Sequence, residues 1–177
     1  KSYKEVYPKN NVYLFSKVED DVTLKNNKDI QRIEINEEII DEPITPTELE
    51  NSLTIFDDTM MIPNKDLRRE LNEVLLKDLM ETGRHNSINL CITNHLINDY
   101  KKTRDIMNEA THLVFFLFAA NTYAISYCLK NYVGMDKNQI RKLLNLKSRW
   151  VIINKKTCPL TIIYQNGVYL LNKSDLD

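Results

Sequence analysis

Two adjacent carboxylates, Asp57 and Asp58, close the short run Leu53-Thr54-Ile55-Phe56. With its β-branched and aromatic members, the run predicts a strand buried on both faces. Acids at the carboxyl end of such a strand lie where open α/β sheets bind ligands. Side chains alternate along a strand, so Asp57 and Asp58 are expected to start in opposite directions and to divide the work. One acid holding a metal ion while the other faces a reacting water is the layout of a Walker B element, whose acid binds Mg²⁺. The same pair also serves to cap a turn or a helix, and the dipeptide alone leaves both readings open.

Three further stretches carry chemistry. Thr93-Asn94-His95 ends a second apolar run, where a polar residue reaches a γ-phosphate or an attacking water in nucleotidases whose sensor strand follows Walker B. Asn94 donates and accepts, and His95 does either according to its tautomer. The alternative is a polar loop that caps the next helix. Gly83-Arg84-His85 offers an Arg at a helix end, suited either to reach a neighbouring subunit's nucleotide as an arginine finger or to complement the helix dipole. Lys101, Lys102 and Arg104 form the best local basic patch. Such side chains contact nucleic-acid phosphates without reading sequence, and they equally make a solvated helix face.

These residues must be positioned by regular elements. Lys1 to Pro8 predicts the tail of a helix stopped by Pro8, and Val12 to Ser16 a short strand. Lys17 to Asp29 reads as a loop, and Arg32 to Ile35 alternates like an edge strand. Thr45-Pro46-Thr47-Glu48 is a helix start, with Thr45 as N-cap, Pro46 at the first helical position and Glu48 closing a capping box. Leu67, Leu71, Val74, Leu75 and Leu79 predict an amphipathic helix over 65–82, terminated by Gly83. A strand over 88–93, a helix over 98–110 and a strand from His112 to Leu117 follow. Helices are expected over 121–132 and 137–146, the second capped by Asp136 with Gln139 three residues on. The carboxyl end predicts strands at 150–153, 160–164 and 168–171, the last two joined by a tight turn at Gln165-Asn166-Gly167. Strands alternating with helices imply an α/β fold: a mostly parallel sheet flanked by helices, with a small antiparallel addition at residues 149–171.

The chain's 177 residues fit one domain, 1–177, with enough length to bury a core. A hydrophobic fraction of 42% and a charged fraction of 28% are ordinary for a globular protein. The net charge of -1 provides no overall field to draw in nucleic acid or anionic lipid, so any DNA contact must be local. Cys91, Cys128 and Cys158 sit among apolar neighbours and form no CxxC pair, which predicts buried free thiols in a reducing compartment. No apolar stretch reaches the ~18 residues a membrane span requires.

In order and spacing, Tyr13-Leu14-Phe15-Ser16, Leu53 to Asp58, Glu81-Thr82-Gly83-Arg84-His85, Thr93-Asn94-His95, Lys101-Lys102-Thr103-Arg104 and Asn108-Glu109-Ala110-Thr111-His112 resemble the viral genome-packaging ATPases. The branch is that of poxviruses and giant viruses, the nucleocytoplasmic large DNA viruses, within the FtsK/HerA P-loop superfamily. Leu146-Lys147-Ser148-Arg149-Trp150 and the closing hairpin also look like its giant-virus members. The resemblance implies a RecA/ASCE-like P-loop sheet and an ATP- and Mg²⁺-dependent hydrolase. It further implies a ring that drives double-stranded DNA into a capsid and meets capsid or portal-vertex proteins, in the host cytoplasm at the viral factory or in the virion. By the same resemblance Asp57 holds Mg²⁺ through water, and Asp58, where many members have Glu, polarises the attacking water. Asn94 or His95 senses the γ-phosphate, and Arg84 is offered across the subunit interface. The family's Walker A loop, GxxxxGK[ST], has no counterpart in these residues. It and its strand are expected upstream of residue 1, beside the sensor strand, and the chain by itself is expected to bind ATP poorly.

A different class of reading is a non-catalytic relative that keeps the sheet as a structural or DNA-binding subunit. A phospho-accepting signalling domain is excluded, since it needs an Asp ending a later strand and a Lys ending a further one. Thr93-Asn94-His95 and Phe116-Leu117-Phe118 supply neither. Paired acids for glycoside chemistry stand across a cleft, not side by side.

Overall fold

The computed structural model describes residues 2–18, 24, 27–94, 100–118 and 121–171. It falls into two compact units, Lys1–His95 and Leu96–Asp177.

The first unit is built on four parallel strands, β1 (Asn11–Ser16), β2 (Ile30–Ile33), β3 (Ser52–Asp57) and β4 (Asn89–Thr93), in the order β2-β1-β3-β4. The strand that ends in the acids therefore has a neighbour on each side. β2 takes the edge, two residues upstream of the segment the alternation pointed to. On one face Phe15, Ser52, Thr54 and Phe56 are fully buried, and the Phe15 and Phe56 rings stack with centroids 4.8 Å apart. The two buried hydroxyls are satisfied: Ser52 donates to the Leu49 carbonyl at 2.6 Å and lies 3.0 Å from the Thr54 hydroxyl. The other face carries Val12, Leu14 and Ser16, then Leu53, Ile55 and Asp57, then Asn89, Cys91 and Thr93. It passes from buried on β1 through half-buried on β3 to exposed on β4. The expected burial of β3 on both faces is complete on one only.

Thr45 opens a 3-10 turn, Pro46–Leu49, and Glu48 accepts from both its peptide N–H and its hydroxyl at 2.7 Å. These bonds hold the Glu48 carboxyl below its ordinary range. The helix expected over 65–82 is present and continuous, with Asn64 capping its start through bonds from Asp66 N and Leu67 N. Its middle, Glu70–Leu75, is π-helical. The i→i+5 pairing there widens the turn and rotates the apolar stripe. Leu76 and Asn72 are buried as a result, while Val74 is exposed. The helix ends at Thr82 with Gly83 at its C-cap, as expected, though not in a left-handed conformation. Gly83 keeps a right-handed φ of -55° and starts a 3-10 turn, and Ser87, at φ 55°, takes the left-handed position instead.

The second unit holds four antiparallel strands, β5 (His112–Phe115), β6 (Val151–Asn154), β7 (Leu160–Tyr164) and β8 (Gly167–Leu171), paired in sequence order. This overturns the expectation of one mostly parallel P-loop sheet. β5, which the alternation of strands and helices places in the parallel sheet, pairs antiparallel with β6, Leu113 opposite Ile153. The short connections among the last three strands permit only antiparallel pairing. The four-residue β5 alternates exposed and buried residues, as a half-buried antiparallel strand does. Leu113, Phe115, Val151, Ile153 and Ile162 pack with Ile125 and Leu129 into this unit's core. The helix Lys137–Leu144 begins as expected, since Asp136 accepts from Asn138 N at 2.6 Å and Gln139 N at 2.9 Å while Asp136 N donates to Gln139 Oε1 at 2.9 Å.

All three cysteines are free, and burial differs from expectation: Cys128 is buried, but Cys91 and Cys158 are exposed. Burial pushes the Cys128 thiol up to about 11. Among the described residues no helix is long and apolar enough to cross a membrane.

Candidate active site

Parallel register brings the last residues of three strands into one row: Ser16 of β1 stands opposite Asp57 of β3, and Asp57 opposite Thr93 of β4. Each strand carries apolar residues immediately before this final polar one: Phe15, Phe56 and Ile92. The Asp57 carboxylate accepts the Ser16 hydroxyl at 3.1 Å through one oxygen and the Thr93 hydroxyl at 2.5 Å through the other. Ser16 in turn accepts from Val18 N at 3.3 Å, which ties the row to the loop leaving β1. The two hydroxyl bonds, one to each oxygen, fix the plane of the carboxylate, and each carboxylate oxygen has a second lone pair with which to accept.

The strand stops at Asp57, and Asp58 turns into the left-handed region at φ 52° and ψ 27°. Alternation therefore no longer governs the direction of Asp58, contrary to the expectation of opposed acids. Its peptide N–H donates to the Thr93 carbonyl at 3.4 Å, and its carbonyl accepts from Met61 N at 2.9 Å. Asp tolerates this backbone better than most residues, at a cost of about 1 kcal/mol. The turn that follows is fixed by the long helix. Thr59, buried, donates its hydroxyl to Asn72 Oδ1 at 2.6 Å, and Asn72 Nδ2 donates to the Thr59 carbonyl at 3.2 Å and to the Arg68 carbonyl at 2.9 Å. Arg68 completes the clamp by donating to the Ile62 carbonyl at 2.8 Å.

Cys91 shares the Asp57 face one pair of residues back from the row. It is exposed on the outermost described strand, yet desolvation first, and the Asp57 charge second, raise its thiol above the ordinary value. This fits a thiol close to the acid.

Of the residues singled out in the sequence, Asp57, Asp58 and Asn94 come to the same end of the sheet, Asn94 half-buried directly after Thr93. His95 lies outside the described residues. Arg84 is not brought there. It is exposed in the turn Gly83–Asn86, whose Asn86 carbonyl accepts from Asn51 N just before β3. This is the amino end of the strands, about 15 Å of strand from Asp57. Lys101, Lys102 and Arg104 fall on the helix Tyr100–Glu109, where Arg104 is exposed. Sequence reasoning missed Asn72 and Arg68 as supports and did not assign Ser16 a role. The available signal was three apolar runs each ending in a hydroxyl or an acid, together with an Asn beside an apolar helical stripe.

No family model matches the chain, and no solved structure matches it. It is similar to "Uncharacterized protein V3" of Sputnik virophage, with 42% identity over 171 residues that span 96% of this chain and 68% of that protein. The chain belongs to the family of this virophage protein.

Proposed function

We propose that the chain is the Mg²⁺-dependent ATP-hydrolysing part of a ring-forming motor that drives double-stranded DNA into a viral capsid. One observation carries the reading: the strand-end carboxylate of Asp57, gripped by a hydroxyl from each neighbouring strand and followed at once by a second acid. The motif order from β1 to the helix Tyr100–Glu109 and the viral relative support it.

The donor set fits the ion. Mg²⁺ at phosphoryl-transfer sites takes one or two carboxylates and fills its remaining positions with water and substrate phosphate, and Asp57 offers an oriented carboxylate among hard oxygen groups. Asp57 would hold Mg²⁺, through water. When bound there, the ion would supply charge neutralisation for phosphoryl transfer. Asp58 orients the attacking water and accepts its proton, while Asn94 or His95 senses the γ-phosphate. Arg84, at the far end of the strands, serves a neighbouring subunit's nucleotide. Lys101, Lys102 and Arg104 contact DNA phosphates irrespective of sequence.

The test is ATP turnover by the full-length protein with Mg²⁺ or with chelator, each with and without duplex DNA. The reading predicts turnover that requires Mg²⁺ and rises with DNA. One observation favours a second reading, a non-catalytic structural or DNA-binding subunit: no GxxxxGK[ST] pattern occurs in these residues. Duplex binding without any Mg²⁺-dependent turnover supports that alternative and contradicts the motor.

A further inference from the structure

The clamp on the turn after the two acids is built on two buried polar groups. Asn72 is 8% exposed and Thr59 2%. Asn72 makes three hydrogen bonds, two to Thr59 and one to the Arg68 carbonyl. It does so from the π-helical stretch Glu70–Leu75, a local irregularity of the kind that recurs at functional sites. A left-handed Asp persists only when the chain on both sides is held. On the upstream side Asp57 is held by Ser16 and Thr93. On the downstream side the holding is done by Asn72 through Thr59, with Arg68 closing on Ile62.

We infer that Asn72 is a positioning residue for Asp58: it locks Thr59, Thr59 locks the left-handed backbone of Asp58, and that backbone sets where the second carboxylate meets water. The inference rests on the reading of Asp57 and Asp58 as the hydrolytic pair. Neither Asn72 nor Thr59 touches the reacting atoms in this arrangement. Loss of either is expected to change the rate of the chemical step and not the binding of nucleotide.

Two variants separate positioning from bulk stability. Asn72→Leu removes all three side-chain bonds at similar volume, and Thr59→Val removes one hydroxyl almost isosterically. Thr59→Ser keeps the hydroxyl and serves as the conservative rescue. In the full-length protein, Asn72→Leu and Thr59→Val are expected to lower kcat by on the order of 10- to 100-fold, with KM for ATP within about twofold, and Thr59→Ser to recover most of the rate. Amide hydrogen exchange gives a second readout, independent of activity. Protection is expected to fall at Met61 and Ile62, whose N–H groups bond Asp58 and Thr59, and to persist over 76–82. Unchanged kcat in folded Asn72→Leu overturns the inference. So does a loss of protection spread over the whole helix with activity falling only in step with the folded fraction. A wild-type protein without Mg²⁺-dependent turnover sinks the hydrolytic reading and this role with it, whereas an active wild type with an indifferent Asn72 sinks this role alone.

Discussion

The Asp57 carboxylate shows how one residue is specified by its neighbours on other strands. Hydroxyls on both sides orient its two oxygens, so Thr93 and Ser16 are as much a part of the site as the acid. Removing an outer partner of a metal-binding group commonly costs 10- to 100-fold in metal affinity. Thr93→Val is therefore expected to raise the Mg²⁺ concentration for half-maximal turnover by about tenfold, at nearly unchanged maximal rate. A metal titration of ATPase activity checks this. The three thiols give a residue-scale test of the structure that needs no activity. Alkylation followed by peptide mapping should label Cys158 fastest and Cys91 more slowly, because desolvation and the Asp57 charge raise its pKa. Cys128 should stay unlabelled until unfolding, since it is buried and its pKa is about 11.

Among the elements, strands and helices with strong periodicity were legible and their partners were not. β1, β3 and the helix over 65–82 fall where apolar spacing and caps put them. Asp136 with Gln139 marks a helix start in sequence and in structure alike. Asp136→Ala is expected to cost about 1 kcal/mol of stability, read as a lowered denaturant midpoint with an unchanged m-value. Sheet membership was misread because an apolar run such as His112 to Leu117 does not announce its pairing direction. The tight connections of the carboxyl-terminal meander fix β6, β7 and β8 as antiparallel, and β5 joins that sheet through its pairing with β6 after a long helical connection. The π-helical turn was also invisible, since no composition rule distinguishes Glu70–Leu75 from an ordinary amphipathic stretch. That turn moved Val74 outward and brought Asn72 in. The candidate site was half legible: the acids and Asn94 stood out as polar ends of apolar runs, while the clamp depends on contacts 13 residues apart.

For the whole molecule, the separation of Arg84 from Asp57 has a consequence. Within one chain the two sit at opposite ends of the parallel strands, so under the proposed motor reading any part Arg84 plays requires another copy. Arg84→Ala is expected to bind ATP normally and to hydrolyse it at least about 100-fold more slowly, in line with the weight of arginine fingers. Mixing Arg84→Ala with Asp58→Asn subunits should restore part of the activity, because some interfaces then join an intact arginine to an intact acid. Turnover that stays at the level of the separate variants removes Arg84 from the mechanism.

The central claim is that Asp57 and Asp58 divide metal binding from water activation. It is tested most directly by measuring ATP affinity and steady-state turnover of the full-length Asp58→Asn protein in saturating Mg²⁺. The account predicts nucleotide affinity within about threefold of wild type and turnover reduced by about 100-fold or more, the scale of a lost general base. Turnover equal to that of the wild type would contradict it.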